Sequence, residues 1–325
     1  MSNKNYYVPG VHRYVFTDVD GILGERDEYR KYKEEFDKAM ECNNMGRPMY
    51  IDIEVNNYCN MKCKMCHHSI IESTNGKDNI SLEMLDKMLL EARKMKVPSF
   101  FLGGGTECLI NPNIVDIIKH IRLLGQGIDD VLITNGYQLT DEIIDLLLEL
   151  KWEKLFVSLD AATPETYKKI RGRELDVVEN NLNRIIEKKK ELGVKLPIIR
   201  VSFCTQEENK HERKLFFDKW KDKVDIIDYQ DLEVYKDGKI IKGLPDTNLK
   251  CNSAFSKMML YCDGRLTPCC SGVWSEYLCV GNIKDMTLEE AWNCDEVNRI
   301  RNEMIEGRLN DVCKTCLYST EVYSY

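Results

Sequence analysis

Three cysteines fall within eight residues, Cys59-Asn-Met-Lys-Cys63-Lys-Met-Cys66, just after a strand-like run that ends at Val55. Thiolates this close on one loop can ligate a single metal centre. Their spacing is C-x3-C-x2-C, whereas zinc motifs usually bring C-x2-C pairs and a closed zinc site needs four ligands. Three thiolates on a four-iron cluster leave one iron open to a small-molecule ligand. Eight further cysteines run from Cys251 to Cys316, and Cys313-Lys-Thr-Cys316 has the spacing of a ligand pair. Two groups of soft ligands in one chain point to metal chemistry. Zinc, or thiols that are simply buried, is the alternative.

The chain has 325 residues, enough for one large α/β domain with an appendage or for two domains. Its 46 Lys plus Arg and 54 Asp plus Glu leave a formal charge of −8. That balance argues against a nucleic-acid backbone binder. Fourteen cysteines in this length fall below the roughly 8–10% of a short disulfide scaffold. No apolar run approaches the ~20 residues of a membrane span. Residues 1–14 lack an apolar signal core and a small-residue cleavage site. A cytoplasmic protein is expected, with no nucleic-acid or membrane partner.

From residue 49 strands and helices alternate. Strand-like runs are Tyr50–Val55, Ser99–Leu102, Val131–Thr134, Leu155–Leu159, Ile198–Phe203 and Val224–Tyr229. Helical patterns lie between most of them. Ser81, Thr140 and Thr163 stand at N-cap positions, and Gly125 and Gly193 at helix ends. Six strands alternating with helices imply parallel βαβ units. A barrel or open barrel places function at the C-terminal strand ends. A doubly wound sheet is disfavoured because no dinucleotide fingerprint follows the first strand. The expected organisation is an extension at 1–48, a partial (β/α)6 barrel core at 49–231 and a smaller β-hairpin/α module at 232–325. In that module Asp237-Gly238 and Asp263-Gly264 read as hairpin turns, and Leu288–Met304 as one helix.

The first cysteine group resembles the radical S-adenosylmethionine (radical SAM) family, whose motif is C-x3-C-x-Φ-C; Met65 fills the Φ position. The resemblance implies a 4Fe-4S cluster on Cys59, Cys63 and Cys66. Its open iron chelates S-adenosylmethionine (SAM), and one electron cleaves the sulfonium to give a 5′-deoxyadenosyl radical. Gly103-Gly104-Gly105-Thr106-Glu107-Cys108 resembles the family's Gly-Gly-Glu-Pro loop, with Thr106 for a glycine and Cys108 for the proline. The implied role of Gly104, Gly105 and Glu107 is to hold the methionine amino group. Thr134-Asn135-Gly136 and Ser158-Leu159-Asp160 resemble segments at the barrel mouth that meet ribose or substrate, or they are ordinary strand-end turns. Arg200 reaches a carboxylate of the cofactor or serves as a structural arginine.

The tail, Asp263-Gly-Arg-Leu-Thr-Pro-Cys-Cys270 through Gly281-Asn-Ile, Ala291-Trp292 and Cys313-x2-Cys316, resembles the SPASM/twitch extension of radical SAM enzymes. That resemblance implies one auxiliary 4Fe-4S cluster on Cys251, Cys269, Cys313 and Cys316, with Cys270 the rival of Cys269. The whole chain is then expected to carry two 4Fe-4S clusters and SAM. Four thiolates leave the auxiliary cluster no open iron, which suits electron transfer. The expected reaction is dehydrogenation of a small polar substrate, sugar-like or aminocyclitol-like. A flavodoxin or ferredoxin is the expected reductant. Epimerisation of a sugar or peptide, with Cys204 or Cys270 donating hydrogen, is the second enzyme reading. A non-catalytic zinc protein is the reading of another class. Asp228, Tyr229 and Asp231 are candidate bases or ordinary strand-end polar residues.

Overall fold

A computed structural model describes residues 11–70, 76–103, 105–231, 234–236, 239–241, 251–270 and 278–317. Its main strands are β1 (Val11–Val15), β2 (Tyr50–Ile53), β3 (Ser99–Leu102), β4 (Val131–Thr134), β5 (Lys154–Ser158), β6 (Ile198–Thr205) and β7 (Ile226–Asp231). After them come β8 (Val234–Lys236), β9 (Lys239–Ile241), β10 (Lys257–Leu260), β11 (Arg265–Thr267) and β12 (Gly281–Asn282). One sheet runs in the order β1-β7-β6-β5-β4-β3-β2-β10-β11-β12. Strands β2 to β7 are parallel and consecutive. This is the partial barrel that the alternating pattern predicts.

Successive strand side chains face opposite sides. Ile51, Ile53, Phe100, Leu102, Leu155, Val157, Val201 and Phe203 share one core with Leu85, Leu89, Ile117, Ile121, Ile144 and Leu182 of the covering helices. Each fully buried side chain of this kind contributes roughly 1.5–3 kcal/mol. Ser81, Thr140 and Thr163 cap their helices as expected, accepting from the N–H of Met84, Ile143 and Thr166. The other face carries charge: Asp52 on β2, Arg200 on β6 and Asp228 on β7.

The extension is part of this architecture. Strand β1 pairs antiparallel with β7, Arg13 opposite Asp228. The helix Asp27–Met40 buries Tyr29 and Tyr32 beside Met49, Tyr50, Ile128 and Leu196. Those four all lie at strand starts, so the helix closes the N-terminal end of the barrel. Tyr50 in turn stacks on Phe101 at 4.2 Å.

The tail continues the same sheet. Strand β10 pairs parallel with β2, placing Lys257 beside Tyr50 and Leu260 beside Ile53. The β10–β11 hairpin turns at Asp263-Gly264, where Gly264 has φ +95°. Strands β8 and β9 pair with Lys236 opposite Lys239; the Asp237-Gly238 turn lies outside the described residues. The expected single helix at 288–304 is two, Leu288–Asn293 and Asp295–Glu306. Cys294 is extended between them, at φ −64° and ψ 160°. Asp295 and Glu296 favour a fresh N-terminus, and Asn298 Nδ2 satisfies the carbonyl of Asn293 at 2.9 Å. Among the described residues no helix is long and apolar enough to cross a membrane.

Candidate active site

The cysteine loop leaves the C-terminal end of β2 and is tied down from several sides. Thr106 Oγ1 donates to the carbonyl of Asn56 at 2.6 Å. Asn135 Nδ2 donates to Asn60 Oδ1 at 2.8 Å, and Arg173 Nη2 to the Asn60 carbonyl at 2.7 Å. The Lys64 N–H bonds the carbonyl of Ile170 at 3.0 Å. Cys63 is buried, while Cys59, Cys66 and Met65 are half-buried. Burial pushes the Cys59 thiol up to about 12 and raises those of Cys63 and Cys66. A metal centre binding here must therefore displace protons.

Glu107 ties the loop after β3 to the end of β4. It is 2% exposed. Its Oε1 accepts from Thr134 Oγ1 at 2.6 Å and the Leu109 N–H at 3.1 Å, and its Oε2 from the Asn135 N–H at 2.6 Å. Burial raises its pKa against those three bonds. The expected amino-group ligand is thus occupied by its own chain, and the Thr134 hydroxyl with it. A carboxylate at a loop end can serve either role, and only the fold brings its donors together. Gly103 has φ +90°, and a Cβ there would sit 2.2 Å from the Ile133 carbonyl, so the turn requires glycine. Gly104 lies outside the described residues. Gly105 faces Glu54, whose Oε2 would be 3.8 Å from a Cβ added there.

Asp160 is buried with φ +63°. Its Oδ1 accepts the Cys204 N–H at 2.7 Å. Its Oδ2 accepts both Nε, at 2.9 Å, and Nη2 of Arg171. Arg171 Nη1 then points at Cys63 Sγ, 3.9 Å away. Asp160 thus holds Arg171 to the start of the segment that follows β5. Arg171 was not among the expected site residues, and its target is 108 positions away. Ser158 is half-buried at the end of β5, and Cys204 is half-buried on the Arg200 side of β6.

The contacts of Arg200 are those of the structural arginine, one of its two expected roles. It contacts Asp228 Oδ2 at 3.1 Å and lies over the Phe156 ring at 3.6 Å. Arg13 grips the same carboxylate with two bonds of 2.7 Å. Burial lowers the Arg200 pKa to about 10, with Asp228 opposing. This is a structural ion cluster joining β1, β6 and β7, and it occupies Asp228 as well. The Tyr229 hydroxyl donates to the Arg213 carbonyl at 2.7 Å, on the helix side. The side chain of Asp231 lies outside the described ones. A lumen carboxyl that the sequence reading missed is Glu54, 6% exposed, facing the thiol and N–H of Cys262. Burial pushes its pKa up to about 7.

In the tail, Cys251 and Cys313 pack around Phe255, Met304 and Leu309, joined by Cys42 from the extension. Cys42 Sγ lies 3.8 Å from the Cys251 carbonyl. Like Val312, Cys269 packs against the cluster of Ala254, Leu278 and Ile300. Its carbonyl accepts from Thr267 Oγ1 at 2.8 Å. Cys270 is exposed. Cys316 lies on the helix Asp311–Leu317; its side chain is not among the described ones.

These donor sets fit iron–sulfur clusters. Cys59, Cys63 and Cys66 stand on one loop as the three soft thiolate donors that leave one iron of a four-iron cluster open. Arg171 beside Cys63 is also a natural companion for an anionic cluster.

Residues 53–228 match the family model described as the radical SAM superfamily, and residues 251–317 match the iron-sulfur cluster-binding domain, SPASM. A tungsten-containing aldehyde ferredoxin oxidoreductase cofactor-modifying protein from Pyrococcus furiosus is 25% identical over 162 residues, 49% of this chain and 44% of that protein. The chain spans about half the length of the curated relatives it matches. Among solved structures, BtrN in complex with AdoMet and 2-DOIA superposes with a TM-score of 0.53 at 16% identity, covering 86% of this chain and 98% of BtrN. Streptococcus suis SuiB bound to precursor peptide SuiA gives 0.60 at 15% identity, covering 85% and 71%. At such identities the structures share the fold.

Proposed function

The chain belongs to the radical SAM superfamily, and from that premise we propose that it oxidises a carbinol carbon of a small polar substrate to a ketone. When bound, SAM and two 4Fe-4S clusters supply a 5′-deoxyadenosyl radical that accepts a hydrogen atom and a sink for one electron. The carbinol thereby loses a hydrogen atom, a proton and an electron, which together make the two-electron oxidation.

This chain's residues divide the remaining work. Cys59, Cys63 and Cys66 would hold the first cluster at the strand ends, with Gly105 in the cofactor loop. Glu107 fixes that loop to β4. The helix Asp27–Met40 closes the opposite end against water. Glu54 is the carboxyl on the lumen side that can take the substrate proton near neutral pH. Cys251, Cys269, Cys313 and Cys316 would hold the second cluster.

The observation that carries the dehydrogenase reading is the tail geometry. Cys251 and Cys313 pack on one small apolar cluster, Cys269 packs on a second that also takes Val312, the neighbour of Cys313 in the chain, and the closing helix carries Cys316. A cluster with four thiolates transfers electrons and leaves no iron to bind substrate. The choice of a small substrate draws on the BtrN likeness, since BtrN was solved with 2-DOIA. A ferredoxin or flavodoxin would supply the initiating electron.

The place of Cys204 favours a second reading, epimerisation. Its thiol stands half-buried on the lumen side of β6, where it can return a hydrogen atom. Cys270, exposed in the tail, is poorly placed for that role.

Anaerobically reconstituted protein, given SAM, dithionite and 2-DOIA or related polyols and aminocyclitols, tests the proposal. A ketone product formed with 5′-deoxyadenosine supports it. An inverted product that Cys204→Ala abolishes would replace it with the epimerase. Absence of 5′-deoxyadenosine from reconstituted protein would refute both.

A further inference from the structure

We propose that Arg171 sets the reduction potential of the cluster on Cys59, Cys63 and Cys66, by donating to the Cys63 sulfur while Asp160 offsets part of its charge. This rests on the reading of those cysteines as cluster ligands.

The guanidinium is divided between two tasks. Nε and Nη2 lie on Asp160 Oδ2, and Nη1 lies 3.9 Å from Cys63 Sγ. All three residues are shielded: Arg171 is 6% exposed, Asp160 2% and Cys63 7%. Burial of this degree keeps water from screening the charge. A donor and a positive charge at a thiolate sulfur favour the electron-rich, reduced cluster.

The geometry is held from both sides. Asp160 Oδ1 is engaged by the Cys204 N–H, and Asn209 Nδ2 bonds the Asp160 carbonyl at 2.8 Å. The Lys64 N–H bonds the Ile170 carbonyl, so the helix end carrying Arg171 is tied directly to the cysteine loop. The arginine is therefore fixed relative to Cys63 and to β6 together. Asp160 sits one step behind it. Its negative charge weakens the cation's effect on the cluster, and neutralising it should strengthen that effect. Substitutions at the two positions must then act with opposite sign.

The test is a redox titration of reconstituted full-length protein followed by electron paramagnetic resonance. SAM binds only the open iron, so the signal that it perturbs belongs to the three-cysteine cluster. In Arg171→Met the midpoint of that signal is expected to fall. The equilibrium constant for reduction drops at least tenfold, about 59 mV for one electron. Asp160→Asn is expected to shift it upward, and Arg171→Lys to retain part of the wild-type value. If Arg171→Met fails to fold, the lysine and asparagine variants carry the test. A midpoint unmoved in every variant with iron content intact overturns the proposal. So does a shift of the same sign in Arg171→Met and Asp160→Asn, which would mark a structural brace. If no signal of the wild-type protein responds to SAM, the cluster reading fails and the inference falls with it.

Discussion

The carboxylate of Glu107 accepts the main-chain N–H of Asn135 at 2.6 Å while its other oxygen takes the Thr134 hydroxyl at 2.6 Å. Two loops of the barrel mouth thus meet on one buried side chain. Glu107→Ala would strand both donors without solvent. Each such group costs about 1–3 kcal/mol, so a loss of about 3 kcal/mol in denaturant stability is expected. A variant of wild-type stability that merely binds SAM more weakly would mean that Glu107 contacts the cofactor instead.

Asp228 neutralises two guanidinium groups, Arg13 and Arg200. Removing it leaves Arg200 buried and unpaired. Asp228→Ala is expected to destabilise the protein by about 3–5 kcal/mol, with SAM affinity of the surviving folded fraction unchanged. Equilibrium denaturation and SAM titration on the same sample decide it. A specific loss of SAM affinity at full stability would restore Arg200 to the cofactor site.

Glu54 links the site to pH. Burial raises its folded pKa to about 7, above that of an ordinary carboxyl. The folded state therefore binds more protons than the unfolded state between the two values, and stability falls as pH rises through that window. Glu54→Gln is expected to flatten that segment and to be the more stable protein at pH 8. Its substrate oxidation should fall while substrate-independent SAM cleavage persists. Denaturation at pH 6 and pH 8 checks the first part. Identical pH slopes in variant and wild type would show that Glu54 is not the titrating group.

Tyr29 and Tyr32 are 3% and 4% exposed under the barrel. Large aromatic to alanine changes in cores cost about 3–5 kcal/mol. Tyr32→Ala is expected to fall in that range by thermal or denaturant unfolding. A cost below about 1 kcal/mol would mean that the extension only rests on the barrel.

Local features were readable from the chain. The N-caps Ser81, Thr140 and Thr163, the strand–helix alternation and the cysteine loop all depend on residues a few positions apart. The pairings that complete the sheet do not. Arg13 meets Asp228 across 215 positions, and β10 inserts Lys257 beside Tyr50. Neither the extension nor the tail announces its partner. The sequence placed Glu107 and Asp160 after strand ends and Arg200 on a strand, but type alone cannot separate a ligand contact from a brace. Their partners come from elsewhere in the chain, and for Asp160 the partner, Arg171, sits eleven positions on. Glu54 went unread because a glutamate in a strand ordinarily faces water; here β10 and Cys262 cover it.

The most direct test of the account is iron and acid-labile sulfide per chain after anaerobic reconstitution, in wild type and in a variant with Cys59, Cys63 and Cys66 changed to Ala. Two 4Fe-4S clusters predict about eight of each in wild type and about four in the variant. About four in wild type, or zinc in place of iron, would contradict it.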